Sequence, residues 1–170
     1  MLRRSRLAIC LVLAVLAGLV GTGISATLSA TASAAVSARP DANSNWTACN
    51  DSAVKSAPGV LWERIKEATE SHRDLPATFW SNIGYRGDIA KIVCYESSFD
   101  WHASNDGQYG WYQMSKSLIS SEGVSWDEYW YGSKTAPAGW YQCVAGELYI
   151  KNRYGTPAAA WQHEKEYGWY

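Results

Sequence analysis

The first 34 residues limit what the rest of this chain can build. Met1 to Arg6 carries three positive charges and no negative one, Leu7 to Val20 is an apolar run of 14 residues, and a small-residue tract ends in Ala32-Ser33-Ala34. A basic start, a short apolar centre and a small-residue exit are the layout of a secretory signal peptide. The run falls short of the roughly 20 residues that a membrane-spanning helix needs. Cleavage is expected after Ala34, Ala35 or Ala38, by the general export route, with no stable membrane insertion afterwards. Removing residues 1–34 from the 170 leaves 136, enough for one domain around one core.

Three of the 15 basic residues leave with the signal, so 12 face 16 acidic ones and the mature chain is net −4. A net acidic chain without a basic tract is a poor partner for nucleic acid or for an anionic surface. All ten Trp and all eleven Tyr lie after the signal, beside only two Phe. Trp and Tyr join a flat apolar face to a polar edge. Sugars have apolar C–H faces and hydroxyl rims, so they suit such walls, and a core of this size leaves some of these rings over.

Cys10 leaves with the signal, and Cys49, Cys94 and Cys143 remain, which permits one disulfide and one spare thiol in three possible pairings. Cys94–Cys143 is the expected bond, because both fall on expected core helices while Cys49 lies in a polar stretch. No Cys-x-x-Cys or His-x-x-x-His spacing occurs, so neither a metal site nor a cofactor is expected.

Residues 35–57 are rich in Ala, Ser and Asn and read as a linker or loosely ordered arm. From Pro58 to residue 170 the pattern is helical. Val60, Leu61, Ile65 and Ala68 recur at helical spacing with charges between them. Pro76 opens a short helix holding Phe79 and Trp80. Asp88 is placed to cap or charge the next helix, which carries Ile89, Ile92 and Val93 and runs to about Glu96 or Ser97. Residues 98–112 contain Asn105-Asp106-Gly107 and Gly110 and are expected to form a loop. Helices are then expected around Ser115–Ser121 and Trp126–Tyr131. A long one follows from Pro137, stopped by Gly155, and a last one opens at Pro157. No stretch sustains strand alternation, so the fold class is mainly α.

Glu96 ends a mostly apolar helix. The negative end of the helix dipole and partial burial both disfavour a charged carboxyl there. A Glu that keeps its proton near neutral pH is suited to general-acid work on a glycosidic oxygen.

The segment from Glu96 to Met114 reads Glu-Ser-Ser-Phe-Asp-Trp-His-Ala-Ser-Asn-Asp-Gly-Gln-Tyr-Gly-Trp-Tyr-Gln-Met. It resembles the soluble lytic transglycosylase group of the lysozyme superfamily, related to goose-type lysozymes. The likeness rests on Glu96-Ser97, Phe99, Ala103, Gly107 and the Gly-x-x-Gln of 110–113. It continues at Tyr149-Ile150-x-x-Arg153-Tyr154-Gly155-Thr156-Pro157, at Trp161-x-His163 and at Gly168-Trp169-Tyr170, and covers roughly residues 85–170. The resemblance implies a single lysozyme-like helical domain with a substrate cleft. It implies Glu96 as catalytic acid/base, Ser97 orienting its carboxyl, and Gln113 in the sugar-binding cleft. Two departures stand out. Trp111 and Tyr112 replace the usual Leu-Met and are expected to wall the cleft. The usual Ala-Tyr-Asn motif is absent, and Trp161, His163 or Tyr170 is expected to take its place beside Glu96. Among the other polar residues, Asp106-Gly107 reads as turn chemistry, Asp100 as a loop anchor and His102 as a surface histidine.

The implied activity is cleavage of peptidoglycan strands by a secreted, cell-wall-associated bacterial protein, expected to be a monomer. Glu96 would protonate the oxygen between N-acetylmuramic acid and N-acetylglucosamine, and a 1,6-anhydro end would form. A hydrolytic muramidase using a second carboxylate such as Asp100 or Asp106 is the neighbouring alternative. A glycan-binding module without chemistry is the alternative from another class.

Overall fold

A computed structural model describes residues 48–170. The signal peptide expected at 1–34, with Cys10, and the first part of the expected arm, 35–47, lie outside the described residues. The described chain is mostly helical, with one small antiparallel sheet.

The helices are α1 (Asp51–Lys55), α2 (Gly59–Ser71), α3 (Thr78–Ser81) and α4 (Ile83–Ser97). Then come β1 (Ser104–Asn105), β2 (Gln108–Tyr109) and β3 (Met114–Ser115), followed by α5 (Lys116–Ser121), α6 (Trp126–Tyr131), α7 (Ala138–Tyr154) and α8 (Pro157–Tyr167). Helix α2 buries Leu61, Ile65 and Ala68 of the expected stripe together with Thr69, while Val60 of that stripe is exposed and the charges lie outside. Helix α4 begins five residues before Asp88. Asn82 caps it, its side chain accepting from the Gly84 and Tyr85 N–H groups at 2.9 and 3.3 Å. Asp88 instead sits inside the helix, 3.4 Å from Lys91 Nζ.

Helix α7 is the centre of the molecule. It packs against α2, α6 and α8, and every residue from Gln142 to Ile150 is buried. Helix α8 opens at Pro157 under a Thr156 cap, closes at Gly168, and packs on α4. Gly155 stops α7 with a positive φ, as its place in the sequence predicts.

The expected loop at 98–112 holds the first two strands. Asp106 (φ 46°) and Gly107 (φ 80°) form a two-residue turn that pairs Ser104 with Tyr109 and Asn105 with Gln108. The third strand pairs Tyr109 with Met114. Strands of two residues are too short to leave an alternation in the sequence.

The disulfide joins Cys49 to Cys94, not Cys94 to Cys143. Cys143 is a buried free thiol on α7. The polar composition of 35–57 concealed the partner. Residues 51–55 form α1, which packs on α4, and Cys49 is 5 % exposed. Such a bond belongs to a protein that matures outside the reducing cytoplasm. Among the described residues no helix is long and apolar enough to cross a membrane.

Candidate functional site

Glu96 lies in the last turn of α4, half-buried, on a helix whose other late residues (Ile92 to Tyr95, and Ser97) are buried. The chain leaves it through two consecutive left-handed residues, Ser98 (φ 52°) and Phe99 (φ 67°). For residues with a Cβ this conformation costs on the order of 1 kcal/mol each. The turn persists because both its ends are tied. Ser98 N donates to Cys94 O at 2.8 Å, and Trp111 Nε1 donates to Phe99 O at 3.0 Å. The Cys94 bridge lies two residues before Glu96, so a covalent anchor and a strained turn flank the carboxyl.

Tyr170 is brought to this place from the far end of the chain. Its hydroxyl is buried and donates to Tyr112 O at 2.9 Å. Burial first, and then the nearby Glu96 charge, push its ionisation well above the ordinary tyrosine value. Tyr149 holds it from behind. The Tyr149 hydroxyl donates to the Tyr170 backbone oxygen at 3.2 Å, and the two rings meet edge to face at 5.6 Å. His163 fixes the preceding residue, with Nδ1 2.8 Å from Trp169 O. A carbonyl only accepts, so Nδ1 is the donor in this bond. Of the residues expected to replace the missing motif, Tyr170 feels the Glu96 charge at its buried hydroxyl, and His163 holds the backbone just before it.

Other expected site residues have different places. The Ser97 hydroxyl donates to Val93 O at 2.9 Å, so its single proton is taken up by the helix. The Gln113 amide turns inward. Its two N–H bonds go to Gly110 O at 2.9 Å and Ala103 O at 3.2 Å, closing the base of the hairpin. Trp111 and Tyr112 are 2 % and 1 % exposed and offer no face to a ligand. They fill a groove made by two glycines of α7. A Cβ on Gly139 would stand 3.0 Å from the Trp111 ring, and one on Gly146 would stand 2.3 Å from the Tyr112 ring.

Asp100 and Asp106 are both exposed, and both serve turns. Asp100 accepts from His102 N at 2.9 Å, and Asp106 is the first residue of the hairpin turn. A different carboxyl, Glu164 of α8, is fully buried and acts with Glu96 on the Tyr170 hydroxyl.

Gln142 was not singled out from the sequence, yet it assembles this region. Its Oε1 accepts from Trp111 N at 2.9 Å, and its Nε2 donates to Trp101 O at 3.0 Å and Tyr129 O at 3.4 Å. One buried amide so joins the turn after Glu96, the sheet and α6. Gly110 makes room for it, because a Cβ there would lie 2.6 Å from Gln142 Oε1, and its φ is +74°. The signal was present. Gln142 and Glu147 are the two polar side chains in the run from Gln142 to Leu148, a stretch apolar enough to be buried on all sides. A polar side chain in such a helix needs an internal partner.

Among the described residues no group of three or more His, Cys, Asp or Glu is placed to hold a metal ion. No family model, no curated protein and no solved structure matches the chain.

Proposed function

We propose that this protein is a secreted peptidoglycan lytic transglycosylase of lysozyme-like fold, with Glu96 as its acid/base. The observation that carries the reading is the setting of Glu96. It is a half-buried carboxyl at the C-terminal end of a buried helix, flanked by a disulfide and a strained turn, with a small antiparallel sheet directly after it. Strain held at such a point is characteristic of functional positions. The motif order Glu96-Ser97, Gly110-x-x-Gln113 and Tyr149 to Pro157 supports the same family.

In this mechanism Glu96 donates its proton to the oxygen linking N-acetylmuramic acid to N-acetylglucosamine, and that bond breaks. The acetamido oxygen of the muramic acid stabilises the cation forming at C1. Glu96, now a carboxylate, takes the proton of the 6-hydroxyl of the same sugar. Its oxygen closes on C1 as the acetamido group leaves, giving a 1,6-anhydro end without consuming water. The engagement of Asp100 and Asp106 in turns supports a one-carboxyl route over hydrolysis by either of them.

The test is digestion of purified peptidoglycan by the protein and by its Glu96→Gln variant, with mass spectrometry of the soluble products. Anhydro-muropeptides from the parent alone are the expected result. Reducing ends from the parent would replace the transglycosylase with a muramidase. Products from the Glu96→Gln variant at the parent's rate would remove Glu96 from the chemistry.

A further inference from the structure

Five residues beyond Glu96 begins a row of rings that is only partly taken up by the core, Tyr109 and Trp126 packing against it while Trp101 and His102 are exposed. Trp101 is 39 % exposed, and the exposed His102 ring lies against it at 3.6 Å with 31° between the planes. His102 meets Trp130 edge-on at 5.7 Å, and Trp130 stacks on Trp126 at 5.4 Å and 12°. Tyr109 closes the row from the sheet, 4.7 Å from Trp126. Trp126, Trp130 and Tyr109 are each only half-buried. The indole N–H groups of Trp101, Trp126 and Trp130 make no hydrogen bond to the described residues, so three donors stand along an apolar surface. At the far end the Lys116 ammonium sits 4.1 Å over the Trp126 ring and pairs with no carboxylate among the described residues.

The row is preassembled. Gln142 holds the Trp101 carbonyl and the Tyr129 carbonyl on one amide, and so fixes the loop and α6 relative to each other. The surface thus combines partly exposed rings, indole N–H groups without a partner among the described residues, and a cation that no described carboxylate pairs. Pyranose rings supply C–H faces and hydroxyl acceptors, and a muramyl strand also supplies carboxylates. We infer that the ledge of Trp101, His102, Trp130 and Trp126 carries sugar rings of a peptidoglycan strand, with Lys116 meeting a carboxylate of that strand. This rests on the proposed activity and names where its substrate lies beyond the cleaved bond.

The test is calorimetric binding to the Glu96→Gln protein, so that nothing is turned over. Two probes are used: triacetylchitotriose, which has no carboxylate, and a tetrasaccharide of alternating N-acetylglucosamine and N-acetylmuramic acid. Trp101→Ala is expected to weaken both by about tenfold, and Trp101→Tyr to restore most of the loss. Lys116→Met is expected to weaken only the muramyl probe, by about threefold, and less so at high salt. Unchanged affinity on adding Trp101→Ala to the Glu96→Gln protein, or no binding of either probe by the Glu96→Gln protein itself, overturns the ledge. Its failure is separable from failure of the enzymatic reading. A parent that cleaves peptidoglycan while Trp101→Ala binds normally sinks the ledge alone. A parent that yields no products yet loses binding on Trp101→Ala sinks the chemistry alone.

Discussion

Glu147 offers the sharpest check on how this core is built. It is 0 % exposed on α7, and its Oε2 lies 2.9 Å from Thr69 Oγ1. Thr69 Oγ1 also lies 2.8 Å from the Ile65 carbonyl. A hydroxyl has one proton, so it cannot donate to both. The two contacts are satisfied together only when Glu147 is neutral and donates to Thr69, which then donates to Ile65. Burial acts in the same direction, pushing the Glu147 carboxyl well above its ordinary 4.5, with the Thr69 contact a smaller opposing effect. The sign of the pH dependence follows. Below pH 4.5 the folded and unfolded chains both hold the proton, and the stability associated with the neutral carboxyl is fully present. As pH rises the unfolded chain releases the proton first. Stability then falls by on the order of 1 kcal/mol per pH unit for as long as the folded protein retains it. Glu147→Gln keeps a donor to Thr69 and cannot ionise, at the cost of about 1 kcal/mol for its second, unpaired N–H. The variant is therefore expected to be slightly less stable than the parent near pH 4, and to overtake it as pH rises toward 7. Urea unfolding of both proteins, disulfide intact, across that range measures the difference. A difference that stays constant with pH, or that moves in the parent's favour as pH rises, would refute the neutral carboxyl.

Two shorter expectations concern the frame of the site. Gln142→Leu leaves the Trp111 N–H buried without its acceptor and takes the donor from two carbonyls. A loss of about 3–4 kcal/mol in urea unfolding is expected, and a loss under 1 kcal/mol would remove Gln142 from its organising role. Non-reducing peptide mapping is expected to recover a Cys49–Cys94 cross-link. Cys143, fully buried and with its thiol pushed well above the ordinary range by burial, should resist thiol reagents until the protein unfolds. Joint replacement of Cys49 and Cys94 by Ala is expected to cost about 3 kcal/mol. Labelling of Cys143 in the folded protein would contradict the structure.

Helix positions were legible because their signals are local. Leu61, Ile65 and Ala68 repeat at one spacing, Pro157 and Gly155 punctuate, and Asp106-Gly107 marks a turn, although the short strands on either side of it leave no signal. Glu96 stands out in the sequence through the motif that follows it more than through its place at the end of an apolar run, and its role is a proposal. The disulfide was not. Three cysteines allow three pairings, and composition favoured the two on long helices. The choice was decided by the docking of α1 on α4, a contact between segments about 40 residues apart. The destination of Trp111 and Tyr112 was hidden likewise. Their position beside Gly110 reads as a site, while the groove that takes them belongs to Gly139 and Gly146, about 30 residues later.

That groove bears on how the surroundings of Glu96 are held. Trp111 and Tyr112 are pressed into α7, yet the Trp111 indole ties the turn after Glu96, and the Tyr112 carbonyl receives the Tyr170 hydroxyl. Gln142, one turn before Gly146, ties Trp101 from the same helix. The turn beyond Glu96, the carbonyl that holds the Tyr170 hydroxyl and the first ring of the ledge therefore all refer back to one face of α7. None of these α7 residues reaches the surface. The surroundings of Glu96 are thus positioned from a buried helix. It follows that substitutions at Gly146 or Gln142 should disturb binding and cleavage together, whereas Trp101 and Glu96 should separate them.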